Sequence, residues 1–240
     1  MLGGARFSWI EDMLDRPVWA ALSTRHLHLS VGSALARKYA ADINLFASAR
    51  DDTPAALAAL TGLVGPGERV FLLQVPDIVV PAGLVATRSA RGVQMIATRV
   101  PAAGADDDIV ELTDADAPEM LALATLTEPG PFLARTHTMG TFRGIRINGR
   151  LAAMAGERLR FPGHTEVSGV CTHPDFRGRG LARRLSAAVA ARIESRGERP
   201  FLHAWKTNRA AISLYESLGF EIRAEVDVKV LVSDSGGARK

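Results

Sequence analysis

The sequence reads as an α/β protein, a mixture of strands and helices, and three stretches carry that reading. Thr165 to Arg184 (TEVSGVCTHPDFRGRGLARR) opens with alternating residues rich in Val, Ser and Thr, which suits a strand. It then passes through a turn at His173-Pro174-Asp175 and a glycine-rich turn into a helix starting around Gly180-Leu181. Thr141 to Ile147 and Arg150 to Phe161 are two strands joined by Asn148-Gly149, a strong hairpin signal. Asn208 begins a third pattern: it is a suitable N-cap, Ala211, Leu214 and Leu218 form a helical stripe, and Gly219 sits at the stop before strands from Phe220 to Val232.

Composition sets the bounds. The 240 residues permit one large or two small domains, each able to bury a core. Apolar content of 47% with 23% charge marks a globular chain. A net charge of +3 is too small to argue for nucleic acid. Residues 171–199 hold seven Arg against Asp175, Glu194 and Glu198, a local excess of four, without the interleaved aromatics of a nucleic-acid surface. The single cysteine, Cys171, excludes an internal disulfide and fits a reducing compartment. No apolar run approaches the roughly 20 residues of a membrane span. The N-terminal MLGGARFSWIEDMLD lacks a signal pattern. The expectation is a cytoplasmic protein with neither nucleic-acid nor membrane partner, its oligomeric state left open, a dimer included.

In order, Phe7 to Leu14 and Pro17 to Leu22 read as short helices, and Thr53-Pro54 starts a helix through Val64. Val70 to Gln74 and Val93 to Val100 read as strands with an unassigned segment between them. Pro101 to Asp108 (PAAGADDD) is a linker by composition, which divides the chain into residues 1–100 and 109–240. Ile109 to Leu112 is a strand, and Asp116 with Glu119 suggests a capping box for a helix carrying Met120, Leu121 and Leu123. Glu128 to Pro131 ends that helix, and Phe132 to Met139 is helix or loop. Leu181, Leu185, Ala188, Val189 and Ile193 line one face of the helix after the glycine-rich turn, followed by a strand at Phe201 to Trp205. Ser233 to Lys240 is a polar tail.

The glycine-rich turn carries chemistry. Feeding Arg177-Gly178-Arg179-Gly180 into a helix start leaves several backbone N–H groups unpaired, and these groups with the helix dipole favour anions, phosphates above all. Arg177, Arg179 and Arg183 add positive charge. The dinucleotide fingerprint fails because Arg183 stands where the third glycine belongs, and the P-loop fails for want of a Lys. What fits is R-x-x-G-x-A, read as Arg177, Gly180 and Ala182, after a strand and V-x-T-x-P.

That order resembles the acetyl-CoA pyrophosphate loop of the GNAT superfamily of N-acetyltransferases. The block from Asn208 to Phe220, with LYESLGF, is similar to the superfamily's closing helix and strand. The resemblance implies a GNAT fold in the C-terminal half, a mixed central sheet flanked by helices, with residues 109–240 as the acetyl-CoA domain. The whole arrangement resembles the glycine-acyltransferase-like branch, with the N-terminal α/β region a degenerate copy or a part of unassigned role. It further implies that Val170, Cys171 and Thr172 offer backbone groups to the pantetheine arm. Arg177, Gly178, Arg179, Gly180, Leu181, Ala182 and Arg183 would hold the pyrophosphate, with Asn208 and Tyr215 facing the co-substrate.

The implied reaction is direct acetyl transfer from acetyl-CoA to a primary amine, without metal; a non-catalytic acyl-CoA-binding or sensing module is the rival. Such transfer needs a base for the amine, donors for the carbonyl and an acid for the departing thiolate. Tyr215 is the acid by resemblance. Strand alternation puts Glu166, Ser168, Val170 and Thr172 on one face and Val167, Gly169 and Cys171 on the other. Glu166 and His203 are the leading candidates for the base, singly or together, and Glu157 is the weakest. Cys171 reads as a core residue rather than a nucleophile. His26 and His28 would share a face if strand-borne, without a clear third metal ligand. The acceptor stays open.

Overall fold

Helix caps, a Gly-dependent hairpin and two apolar helix faces set the elements of this chain. The computed structural model describes residues 13–100 and 106–234. In chain order these residues form α1 (Pro17–Ser23), β1 (Ser30–Gly32), β2 (Ala36–Tyr39), β3 (Ala47–Ala49), α2 (Pro54–Thr61), β4 (Arg69–Gln74), β5 (Leu84–Ala97), β6 (Ile109–Leu112) and α3 (Ala117–Thr127). Then come β7 (Phe142–Ile147), β8 (Arg150–Phe161), β9 (His164–Thr172), α4 (Leu181–Ser195), β10 (Arg199–Trp205), α5 (Arg209–Glu216) and β11 (Phe220–Ser233). Residues 7–12 of the first expected helix, 101–105 of the expected linker and 235–240 of the tail lie outside the described residues.

The described residues fall into two compact units, one of 13–41, 45–92 and 224–234, the other of 42–44, 93–100 and 106–223. These bounds differ from the sequence division at the linker, because β5 and β11 each pass from one unit into the other.

The first unit holds an antiparallel sheet in the order β1-β2-β3, and β4 pairs antiparallel with residues 227–232 of β11. Thr53 caps α2 by accepting from the Ala56 N–H, and Pro54 follows in the first turn, as the sequence suggests. The helix stops at Thr61 rather than Val64, while Leu60 and Val64 both join a core with Val70, Leu72 and Leu231. The segment left unassigned in the sequence contains the first half of β5. Its residues 85–89 are exposed, so no apolar alternation marks it. The histidine pair is not strand-borne: His28 lies in a 3₁₀ turn, and His26 Nδ1 is 2.8 Å from the Tyr39 hydroxyl.

In the second unit the strand order is β5-β10-β9-β8-β7-β6, with β10 parallel to β9 and the β9-β8-β7-β6 pairs antiparallel. Asn148 and Gly149 have φ of 51° and 78°, the two left-handed residues of a two-residue hairpin. Leu181, Leu185, Val189 and Ile193 of α4 pack with Met95, Ala153, Val167 and Leu202 in one cluster. Met120, Leu123 and Ala124 of α3 pack with Phe142, Met154 and Cys171 in another. The capping box lies one turn earlier than expected, between Thr113 and Asp116. In α5 it is Ile212 and Tyr215 that are buried, with Ala211 and Leu214 only partly so.

Two irregularities shape β9. Met154 pairs with Cys171 while Gly156 pairs with Ser168, so two steps along β8 face three along β9. That bulge sits at Gly169, whose φ is +62°. The expected alternation therefore fails beyond Ser168. Val170 packs with Val167 in the α4 cluster, whereas Cys171 turns to the α3 cluster. Second, the pairing of β9 with β10 is confined to His164, Thr165 and Glu166. Beyond Glu166 the two parallel strands part, and Ser168, Gly169 and Val170 are only half-buried.

A Cβ at Gly169 would lie 2.9 Å from Phe142 Cε1. Gly169→Ala should therefore lose about 1–2 kcal/mol for the left-handed backbone and roughly 1–3 kcal/mol for overpacking. Urea denaturation measures this, and unchanged stability would mean the bulge does not depend on glycine.

Candidate active site

Burial decides the chemistry at the point where β9 and β10 part. Glu166, on β9, is 0% exposed. A carboxylate there survives only with donors around it. Arg158 of β8 supplies two, with Nε 2.8 Å from Oε2 and Nη2 2.7 Å from Oε1. The Leu159 N–H donates to Oε2 at 3.2 Å, and His203 Nδ1 lies 2.7 Å from Oε1. Burial works to raise the Glu166 pKa, but the charge and hydrogen bonds of Arg158, aided by His203, outweigh it and hold the group at about 2.

His203 bridges onward from β10. Its side chain is 6% exposed, and its Nε2 is 3.2 Å from Gln94 Nε2 of β5, whose Oε1 accepts from Arg223 at 2.9 Å. The order is Arg158, Glu166, His203, Gln94, Arg223, across adjacent strands. Glu166 and His203 are thus brought together. Arg158, Gln94 and Arg223 were missed; the signal available for Gln94 was a polar side chain inside an apolar strand run, VQMIA, whereas Arg158 stands among other charged residues in GERLRF. Glu157 is not in this group: it is 1% exposed and bonded to Arg196 at 2.8 Å.

Tyr215, on the buried side of α5, packs edge-to-face on Phe220 with ring centroids 6.1 Å apart. Burial and the nearby charge of Glu166 push its pKa up to about 12, so the phenol keeps its proton at neutral pH. Asn208 caps α5, its Oδ1 accepting from the Ala211 N–H at 3.1 Å. Cys171 is buried in the α3 cluster, and burial pushes its thiol up to about 11, far from a thiolate nucleophile.

The glycine-rich turn joins β9 to α4. Gly178 and Gly180 have φ of 76° and 72°, and a Cβ at either would meet nothing within 4 Å. Gly180 is the N-cap of α4 with no side-chain cap, and the first turn carries no acidic residue. The N–H groups of Leu181, Ala182 and Arg183 thus open the helix without a protein anion, which suits a diphosphate. Phe176 anchors the turn, with the Arg179 and Arg150 guanidiniums 5.4 Å and 5.5 Å from its ring centroid. Arg183 bonds the Ser217 hydroxyl, tying α4 to the end of α5. Val170 and Thr172 line the parted stretch of β9, half-buried. The residues present fit a coenzyme A diphosphate at the turn and an extended arm along β9.

Arg158→Ala would leave Glu166 buried without its counter-ion, a change worth about 3–5 kcal/mol. Because the Glu166 pKa is depressed, its contribution is complete above the ordinary 4.5 and disappears as pH falls towards about 2. Urea denaturation across that window should show a steep loss for the parent chain and a shallower one for Arg158→Ala. Parallel profiles would contradict the pairing.

Comparison with known proteins bears on the family and the fold. Residues 142–228 match the model of the FR47-like protein family. A crystal structure of an acetyltransferase from the GNAT family of Novosphingobium aromaticivorans is 44% identical, with a TM-score of 0.87, covering 92% of this chain and 99% of that one. A GCN5-related N-acetyltransferase from Kribbella flavida shares the fold at 17% identity and a TM-score of 0.63, over 93% of this chain and 96% of that one. A mycothiol acetyltransferase of Thermobispora bispora is 47% identical over 64 residues, 26% of this chain, so the match spans about a fifth (21%) of that relative. The chain belongs to the GNAT family of acetyltransferases, enzymes that use acetyl-CoA.

Proposed function

We propose that this enzyme transfers the acetyl group of acetyl-CoA directly to a primary amine, with His203 as the base, Glu166 as its orienting carboxylate and Tyr215 as the donor to the departing sulfur. The observation that carries this reading is the 2.7 Å contact between Glu166 and His203 Nδ1 where β9 and β10 part. A carboxylate held at about 2 takes up no proton at neutral pH, so the proton from the amine goes to the imidazole. Acetyl-CoA would supply a thioester carbonyl. The turn from Arg177 to Arg183 would hold its diphosphate, and the backbone of Val170, Cys171 and Thr172 its pantetheine arm, with Asn208 and Tyr215 alongside.

Magnitudes refine the role of Tyr215. An ordinary thiol titrates at about 8.5. A phenol near 12 therefore holds its proton more tightly than the leaving thiol would. Tyr215 stabilises the developing thiolate by a hydrogen bond, and the imidazolium of His203 is the better source of the final proton. We further read the chain as glycine-acyltransferase-like, with the co-substrate site carried by the unit of residues 42–44, 93–100 and 106–223, and the other unit a degenerate copy or a part of separate role. A lone, buried Cys171 suits work in the reducing cytoplasm.

The test is a screen of amine acceptors with acetyl-CoA, following free thiol; the match to a mycothiol acetyltransferase puts mycothiol-related amines in the first set. On a verified acceptor, Tyr215→Phe should lower kcat by about 10²-fold, the size of losing one hydrogen-bond donor to developing negative charge, with acetyl-CoA affinity nearly unchanged. His203→Gln should remove the acidic limb of the pH–rate profile. Full turnover in both variants would defeat the assignment. Arg177→Glu and Gly180→Glu should abolish acetyl-CoA binding in folded protein, and unchanged calorimetry in both would remove the diphosphate site.

A further inference from the structure

We propose that Gln94 and Arg223 are positioning residues that hold His203 in a single tautomer, with its proton on Nδ1 and its lone pair on Nε2. Donors and acceptors alone decide this. A guanidinium has no acceptor, so the Gln94 amide must turn its oxygen to Arg223, 2.9 Å away. Its NH₂ then faces His203 Nε2 at 3.2 Å and can only donate, which makes Nε2 the acceptor. On the other side Nδ1 faces the ionised Glu166 carboxylate at 2.7 Å, which only accepts, so Nδ1 carries the hydrogen. The two constraints agree. Gln94 is 0% exposed, so solvent does not compete for its amide.

Among the described residues, the charged and titratable groups around the imidazole include Glu166 from β9, Arg158 from β8 behind it, and Arg223 from β11 behind Gln94, with Tyr215 of α5 within range of the Glu166 charge. Glu166 favours a charged imidazole. Gln94 opposes it, because a hydrogen arriving on Nε2 would meet the NH₂ donor head on. The amide must then swing away, which breaks its bond with Arg223. Gln94 thereby favours the neutral imidazole with its hydrogen on Nδ1. The use of that tautomer in catalysis rests on the reading of His203 as the base, whereas the tautomer does not.

Nitrogen-15 NMR of the imidazole in the full chain tests the tautomer directly. At neutral pH the His203 hydrogen should sit on Nδ1, with Nε2 bare. In Gln94→Glu the new carboxylate can accept from both Nε2–H and Arg223, and the His203 titration midpoint should rise by about one pH unit, a tenfold change in protonation. A resting hydrogen on Nε2 in the parent chain overturns the proposal without any variant. An unmoved midpoint in folded Gln94→Glu also overturns it. A raised midpoint that the acidic limb of the rate profile does not follow upholds the positioning and rejects His203 as the base.

Discussion

A fully buried carboxylate dictates its surroundings. Glu166 is held ionised by Arg158, a backbone N–H and His203, and each of those donors must come from a neighbouring strand at a fixed register. The pairing of Glu166 with Phe201 in the parallel β9–β10 ladder sets His203 two residues further along β10. The position of His203 is thus a consequence of sheet register as much as of its own hydrogen bonds. Replacing such a polar chain by apolar residues could leave the fold as stable or more so. What the polar chain does impose is the orientation of one imidazole.

The second constraint is geometric. Parallel strands normally continue their ladder, yet β9 and β10 part after Glu166, at the approach to the Gly169 bulge. The bulge re-aims Val170 to the α4 side and frees the backbone of β9 on its β10 side. The strand then runs directly into the turn at Gly178 and Gly180 and the uncapped start of α4. An extended chain lying along β9 with a diphosphate at its far end matches the run from that parted stretch to the glycine-rich turn.

Much of this was legible in the sequence where a local rule applies. Asn148-Gly149, the Thr53 and Asn208 caps, the α4 stripe and the glycine-rich turn all follow from the chemistry of two to five neighbouring residues. Long-range pairing was not. The bulge is invisible because VSGVCT alternates well enough to read as a regular strand, and only the pairing with β8 exposes the extra residue. Gln94 and Arg223 stand 129 residues apart in the chain, and no local pattern joins them. The two compact units escaped for the same reason: β5 and β11 are 14 residues each, long enough to serve both.

The central claim is that one path, from the parted stretch of β9 to the start of α4, receives coenzyme A. A crystal structure of the chain with coenzyme A tests it most directly. The account predicts the diphosphate on the N–H groups of residues 178–183, the pantetheine arm along Val170 to Thr172, and the sulfur close to Tyr215. Coenzyme A lying mainly against residues 13–92 would contradict it.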